Sequence, residues 1–154
     1  MSNEKTTGTL TDILKNTSGD KIDEYLEENA ESLINGAKPF AEYMRRTIKG
    51  KGLLKQTVFL NADISEGYGY KLLSEEKRTR KRDVILRLCI GAGFGLKETQ
   101  KALELYKMPS LYPKDRRDAV IMIAVNTGIH EISKVNDLLE QYGMEKLEQA
   151  SMID

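Results

Sequence analysis

The sequence predicts an all-α protein organised around a helix-turn-helix, and three observations carry that prediction. Apolar residues recur at three- and four-residue spacing in segment after segment, the period of an amphipathic helix. Two of these segments are joined by nothing longer than Asp63 to Ser65, too tight for anything but a helix-turn-helix corner. A helix, glycine turn, helix unit is then used twice in succession.

In chain order, Leu10, Ile13 and Leu14, then Ile22, Leu26, Leu33 and Ile34 predict two short acidic helices before Gly36. The polar turn Asn16–Gly19 separates them, with Asp20 placed to cap the second. Pro39 suits a first helical turn, Phe40, Tyr43, Met44 and Ile48 form one face, and Gly50 and Gly52 stop the helix. Leu54, Val58 and Ala62 set the next helix, and Ile64, Tyr68 and Leu72 the one after it. EEKRTRKR reads as a charged connector without a hydrophobic anchor. Val84, Ile85, Leu88 and Cys89 mark a helix ending at Gly91 to Gly95, and Leu96, Thr99, Leu103 and Tyr106 another. Pro109 and Pro113 bracket a loop, after which 115–127 is apolar enough to predict a nearly buried helix. Ile132, Val135, Leu138, Leu139 and Tyr142 make the last helix, closed by Gly143.

The repeat aligns RDVILRLCIGAGFGLKETQKALELYKM from Arg82 with RDAVIMIAVNTGIHEISKVNDLLEQYGM from Arg117, with one inserted residue after the glycine. The two agree at Arg82/Arg117, Asp83/Asp118, Gly93/Gly128, Leu103/Leu139, Tyr106/Tyr142 and Met108/Met144. By duplication or by convergence, the second hairpin is expected to stack on the first as neighbours do in helical arrays. The organisation expected is an acidic helical arm (1–36), a helix-turn-helix core (37–108), a repeat hairpin packed on the core (109–144) and a frayed tail (145–154).

At 154 residues, 40% apolar and 31% charged, the chain has the composition of one folded domain. It has no apolar run near the ~20 residues of a spanning helix and no hydrophobic signal region in MSNEKTTGTL, so a cytoplasmic protein without membrane contact is expected. The lone Cys89, between Leu88 and Ile90, reads as a buried thiol. Net charge is zero but unevenly spread. Residues 1–35 hold three Lys against eight Asp and Glu, whereas 36–82 hold twelve Lys and Arg against five acids. Such a basic middle third can meet a polyanion locally.

VFLNADIS, YGYKLLSEEKR and RDVILRLCIGAGFGL carry a resemblance: residues 39–106 resemble the five-helix Xre/Cro-like (lambda-repressor-like) helix-turn-helix family. YGY in the third helix and LYPKDRRDAVI after the fifth look like a group of such proteins from Gram-positive bacteria. The chain departs from the family pattern with Phe59 for a small Ala, Gly69 for a branched apolar residue, Asp63 for the turn Gly, and Glu75 and RTRK for a Gly and Pro. Phe59 facing Gly69 would be a volume-conserving swap.

The resemblance implies a DNA-binding regulator with helix 65–74 in the major groove. Ser65, Glu66, Gly67, Tyr70 and Lys71 would face base edges, and Lys55 or Gln56 a phosphate. Lys77, Arg78, Arg80, Lys81 and Arg82 would form a phosphate clamp, with Lys71 and Arg78 both exposed. A homodimer is expected on double-stranded DNA, because one such helix reads few base pairs. Against this, Glu66 repels the phosphate backbone and Gly67 specifies nothing. The alternative is a non-catalytic scaffold that kept the helix-turn-helix frame and binds a protein through the arm or the added hairpin.

No enzyme, cofactor or metal is expected. GAGFG lies between two helices without the strand or Lys-Ser/Thr of a phosphate loop, and His130 has no companion ligand and borders the last helix. Asp115 to Asp118 suit a helix start, with the arginines tying the two hairpins by ion pairs. Tyrosines 43, 68, 70, 106, 112 and 142 read as core or core-edge residues.

Overall fold

The computed structural model of the chain describes residues 5–28 and 38–151, and every regular element among them is helical, as the spacing predicts. The elements are α1 (Thr7–Lys15), a 3-10 turn (Gly19–Lys21), α2 (Ile22–Glu28), α3 (Pro39–Gly50), α4 (Lys55–Ala62), α5 (Glu66–Leu73), α6 (Arg82–Gly91), α7 (Leu96–Leu105), α8 (Arg116–Thr127) and α9 (Ile132–Gln141). No helix among the described residues is long and apolar enough to cross a membrane. Two compact units divide between Ala37 and Lys38.

In the first unit, the Thr6 hydroxyl accepts from the Thr9 amide at 3.1 Å and starts α1. Asp20 does not cap α2: it lies inside the 3-10 turn, where the Ser18 hydroxyl donates to it. The expected apolar positions Leu33 and Ile34 lie outside the described residues.

The second unit is arranged around α6, in which every residue from Asp83 to Gly91 is buried. α3 turns Phe40, Met44 and Ile48 inward at four-residue spacing, and α4 crosses α6 so closely that Gly91 has no room for a side chain. A Cβ there would lie 2.6 Å from the Val58 carbonyl oxygen and 2.9 Å from Ala62 Cβ. The Asn61 amide secures the crossing by donating to the Gly91 carbonyl at 3.1 Å. Phe59 faces Gly69 as the swap requires, since a Cβ on Gly69 would sit within 2.8 Å of the ring.

The connector after α5 has no apolar side chain of its own to anchor it, as the sequence reads, but it is held by polar contacts that the sequence did not show. Glu75 adopts a left-handed φ of 60° and its carboxylate accepts from the Ala41 amide at 3.2 Å, capping the first turn of α3. Arg78 bonds Glu75 and lies 4.0 Å over the Tyr106 ring, and the buried Thr79 amide donates to the Tyr106 hydroxyl at 2.9 Å. A charged string is thus held by one buried phenol, which periodicity cannot register.

The two repeats match in three dimensions, but they do not stack head to tail as in an array. Arg82 pairs with Asp118 and Arg117 with Asp83, so each repeat offers the other the same Arg-Asp pair. α6 meets α9 while α7 meets α8, the reciprocity of an isologous, two-fold-like interface. The equivalence extends past the helices. Leu111 and Leu147 are both buried, their amides accepted by Gln100 and Asn136, which align with one another. Arg82 donates to the Pro109 and Ser110 carbonyls, and Arg117 to those of Glu145 and Lys146. Asp118 accepts from the Tyr112 amide and Asp83 from that of Glu148.

The tail is therefore not frayed through residue 148: it is a strap held by Asn136, Asp83, Arg117 and the buried Leu147. Nor is α8 nearly buried. Ile123 is 64% exposed although its counterpart Leu88 is fully buried, because α4 covers that side of α6 whereas α8 packs chiefly on α7 and α9. Tyr70, Tyr112 and Tyr142 are likewise exposed.

Candidate nucleic-acid interface

The turn between α4 and α5 is made by Asp63 in the left-handed region, φ 52°, the conformation for which glycine is the usual choice. The Ile64 amide closes α4 by donating to the Phe59 carbonyl at 3.0 Å, and the Ile64 side chain is buried as the apolar residue of the turn. Ser65 starts α5 in extended conformation without a side-chain cap, and Ser65, Glu66 and Gly67 are all exposed. Glu66 lies in the first turn, where the positive helix end favours an acid.

Tyr70 is 38% exposed and packs edge-to-face on Phe59 at 5.0 Å between ring centroids. The Lys55 ammonium lies 6.0 Å from the Tyr70 ring centroid, a cation over the outer aromatic face. Gln56 is exposed beside it in the first turn of α4, a turn without a side-chain cap. Lys71 is half-buried, not exposed. The fold thus brings Lys55 of α4 against Tyr70 of α5, with Gln56 exposed in the first turn of α4 and Ser65, Glu66 and Gly67 exposed at the start of α5.

The basic cluster is less available than its sequence suggests. Arg78 donates at 2.5 Å to Glu75 and at 3.3 Å to the Tyr106 carbonyl, besides stacking on that ring. Arg82 is bound through two nitrogens to Asp118. Both are committed to internal anions and carbonyls, so neither is a free clamp residue. Lys77 and Arg80 are exposed, and Lys81 is half-buried with its amide donating to the Thr79 hydroxyl at 3.1 Å.

Comparison of the chain with protein-family models, curated proteins and solved structures found no match.

Two features escaped the sequence reading. Leu54, just before α4, and Leu60 on α4 are 69% and 81% exposed, and Leu60 borders an open groove of about 890 Å³ with Asn61, Asp63, Ile132, Ser133 and Asp137. Leu60 carried a signal, since it falls out of phase with Val58 and Ala62, whereas Leu54, expected on their face, is exposed. The other is Arg87, only 2% exposed, whose signal was a lone cation inside the apolar run VILRLCI. Cys89 is fully buried, which pushes its thiol well above the ordinary range and leaves it unreactive. His130 is exposed in the turn before α9.

Proposed function

We propose that the chain is a cytoplasmic regulator that binds double-stranded DNA as a homodimer, with α5 entering the major groove. The observation that carries this reading is the exposed Gln56, Ser65, Glu66 and Tyr70 together with the half-buried Lys55, whose ammonium lies over the Tyr70 ring. Tyr70 stands on a rigid Phe59 floor and Lys55 beside it supplies a cation for a phosphate. Lys71, Lys77, Arg80 and Lys81 supply the remaining backbone contacts, and Arg78 and Arg82 leave that set because they hold the fold together.

Fluorescence anisotropy of the purified chain on a random-sequence duplex across a salt series tests the proposal. With about five phosphate contacts, log affinity falls with log salt at a slope of roughly −4 to −5. Lys71→Glu with Arg80→Glu abolishes binding while the helical circular dichroism is unchanged. No binding at low salt, or retained affinity in the double variant, refutes the placement.

A second reading, a protein-interaction module on the same frame, is favoured by the exposure of Leu54 just before α4 and of Leu60 on it. Its test is light scattering after deletion of residues 1–35, and an unchanged assembly counts against it.

A further inference from the structure

We infer that Arg87 is a positioning residue that couples the 145–148 strap to the helix-turn-helix corner. Its guanidinium donates from Nε to the Glu148 carbonyl at 2.7 Å, from Nη2 to the Leu147 carbonyl at 2.9 Å and from Nη1 to the Ala62 carbonyl at 3.0 Å. Ala62 is the last residue of α4, immediately before the left-handed turn residue Asp63. Its carbonyl has no partner within the helix and sits at the negative helix end, so a cation there is doubly favoured. One side chain therefore bonds three carbonyls from two segments far apart in sequence. Burial works against the Arg87 charge, and Asp63 and Asp83 support it from outside hydrogen-bond reach.

The repeat isolates what Arg87 adds. Apart from the exposed Lys146–Glu140 ion pair, the other anchors of the strap have counterparts in the first repeat: Asn136 in Gln100, Asp83 in Asp118, Arg117 in Arg82 and Leu147 in Leu111. Arg87 aligns with Met122, which carries no donor. The near-symmetry of the hairpins breaks at the side chain that reaches α4. Strap movement would remove two of the three acceptors of a buried cation, a loss that Arg87 can relieve only by moving with the strap and drawing on the Ala62 carbonyl. The strap thereby sets the orientation of the corner that begins α5.

The consequence for DNA rests on the proposed function, whereas the coupling itself does not. The test is amide hydrogen exchange at Asp63–Ile64 and at Leu147–Glu148, with duplex affinity measured in parallel, for the full chain, Arg87→Met, Arg87→Lys and Asn136→Ala. Asn136→Ala removes the acceptor of the Leu147 amide without touching Arg87 or α4. It is expected to raise exchange at both pairs of amides by about tenfold and to weaken duplex binding. Arg87→Met does the same, and Arg87→Lys recovers part of the effect by keeping the cation.

Should Arg87→Met fail to fold, Asn136→Ala still decides the matter. Faster exchange at 147–148 with none at 63–64 overturns the coupling. Coupled exchange with unchanged affinity overturns the positioning role. If the unmodified chain binds no duplex, the DNA reading fails by itself and the exchange pattern still decides the coupling.

Discussion

Replacing Gly69 with alanine tests the central packing argument of the helix-turn-helix. A Cβ at this position would lie 2.5 Å from Phe59 Cε1 and 2.8 Å from Cγ, with Cδ1 nearer still. The ring cannot retreat easily, being 1% exposed with Tyr70 packed on it. Overpacking of this kind costs about 1–3 kcal/mol, and three sub-contact distances to one rigid ring put this case near the upper end. Against it stands the roughly 1 kcal/mol that alanine gains over glycine inside a helix. The expected net effect is a destabilisation of about 2 kcal/mol.

With Phe59→Ala in place the obstruction is gone, and Gly69→Ala is expected to stabilise by about 1 kcal/mol. The coupling between the two sites is then roughly 3 kcal/mol. Phe59→Ala alone costs about 3–5 kcal/mol, which a domain of ordinary stability survives under mild conditions. Urea unfolding of the four variants, followed by circular dichroism, yields the cycle. If Gly69→Ala stabilises equally in both backgrounds, Phe59 does not occupy that space and the compensating swap is refuted.

Two further predictions concern the repeat. Burial pushes the Asp83 carboxyl up, but the Arg117 guanidinium, the Glu148 amide and nearby Arg82 outweigh it and hold the group below its ordinary value. Because the folded value lies below the unfolded one, the pair stabilises fully above the ordinary carboxylate range, and its contribution is lost as pH falls through the depressed value. Asp83→Asn should therefore cost roughly 2–4 kcal/mol at neutral pH and progressively less in acid, and a difference independent of pH in urea titrations would refute the assignment. Lys107, with φ 60°, closes α7 where Gly143 closes α9 with φ 72°. Lys107→Gly should relieve about 1 kcal/mol of left-handed strain and raise the melting temperature by roughly 2–4 °C, and a lower melting temperature would contradict this.

The sequence was most legible where one short segment decides the outcome. Periodicity located α3, α7 and α9 because each buries a stripe fixed by its own spacing, α6 showed itself as an apolar run, and the tight link from Asp63 to Ser65 admitted little besides a corner. Of the arginines at 116 and 117 expected to tie the hairpins, Arg117 does so through Asp83, and Arg82 adds the matching pair with Asp118. Availability of the basic cluster was not legible. Lys77, Arg78, Arg80 and Arg82 look alike as letters, and it is Tyr106 and Asp118 arriving from elsewhere, with the neighbouring Glu75, that commit two of them internally.

By itself, then, the sequence determined the helices, the corner and the repeat, since these follow from local spacing and turn chemistry. Tertiary structure decided that the repeats face each other reciprocally, that α8 keeps Ile123 exposed, and that residues 145–148 form a strap joined through Arg87 to α4. Each of these depends on which surfaces meet across 25 or more residues of chain. Such pairings are set by shape, by unsatisfied carbonyls and by buried charge, none of which has a period along the sequence.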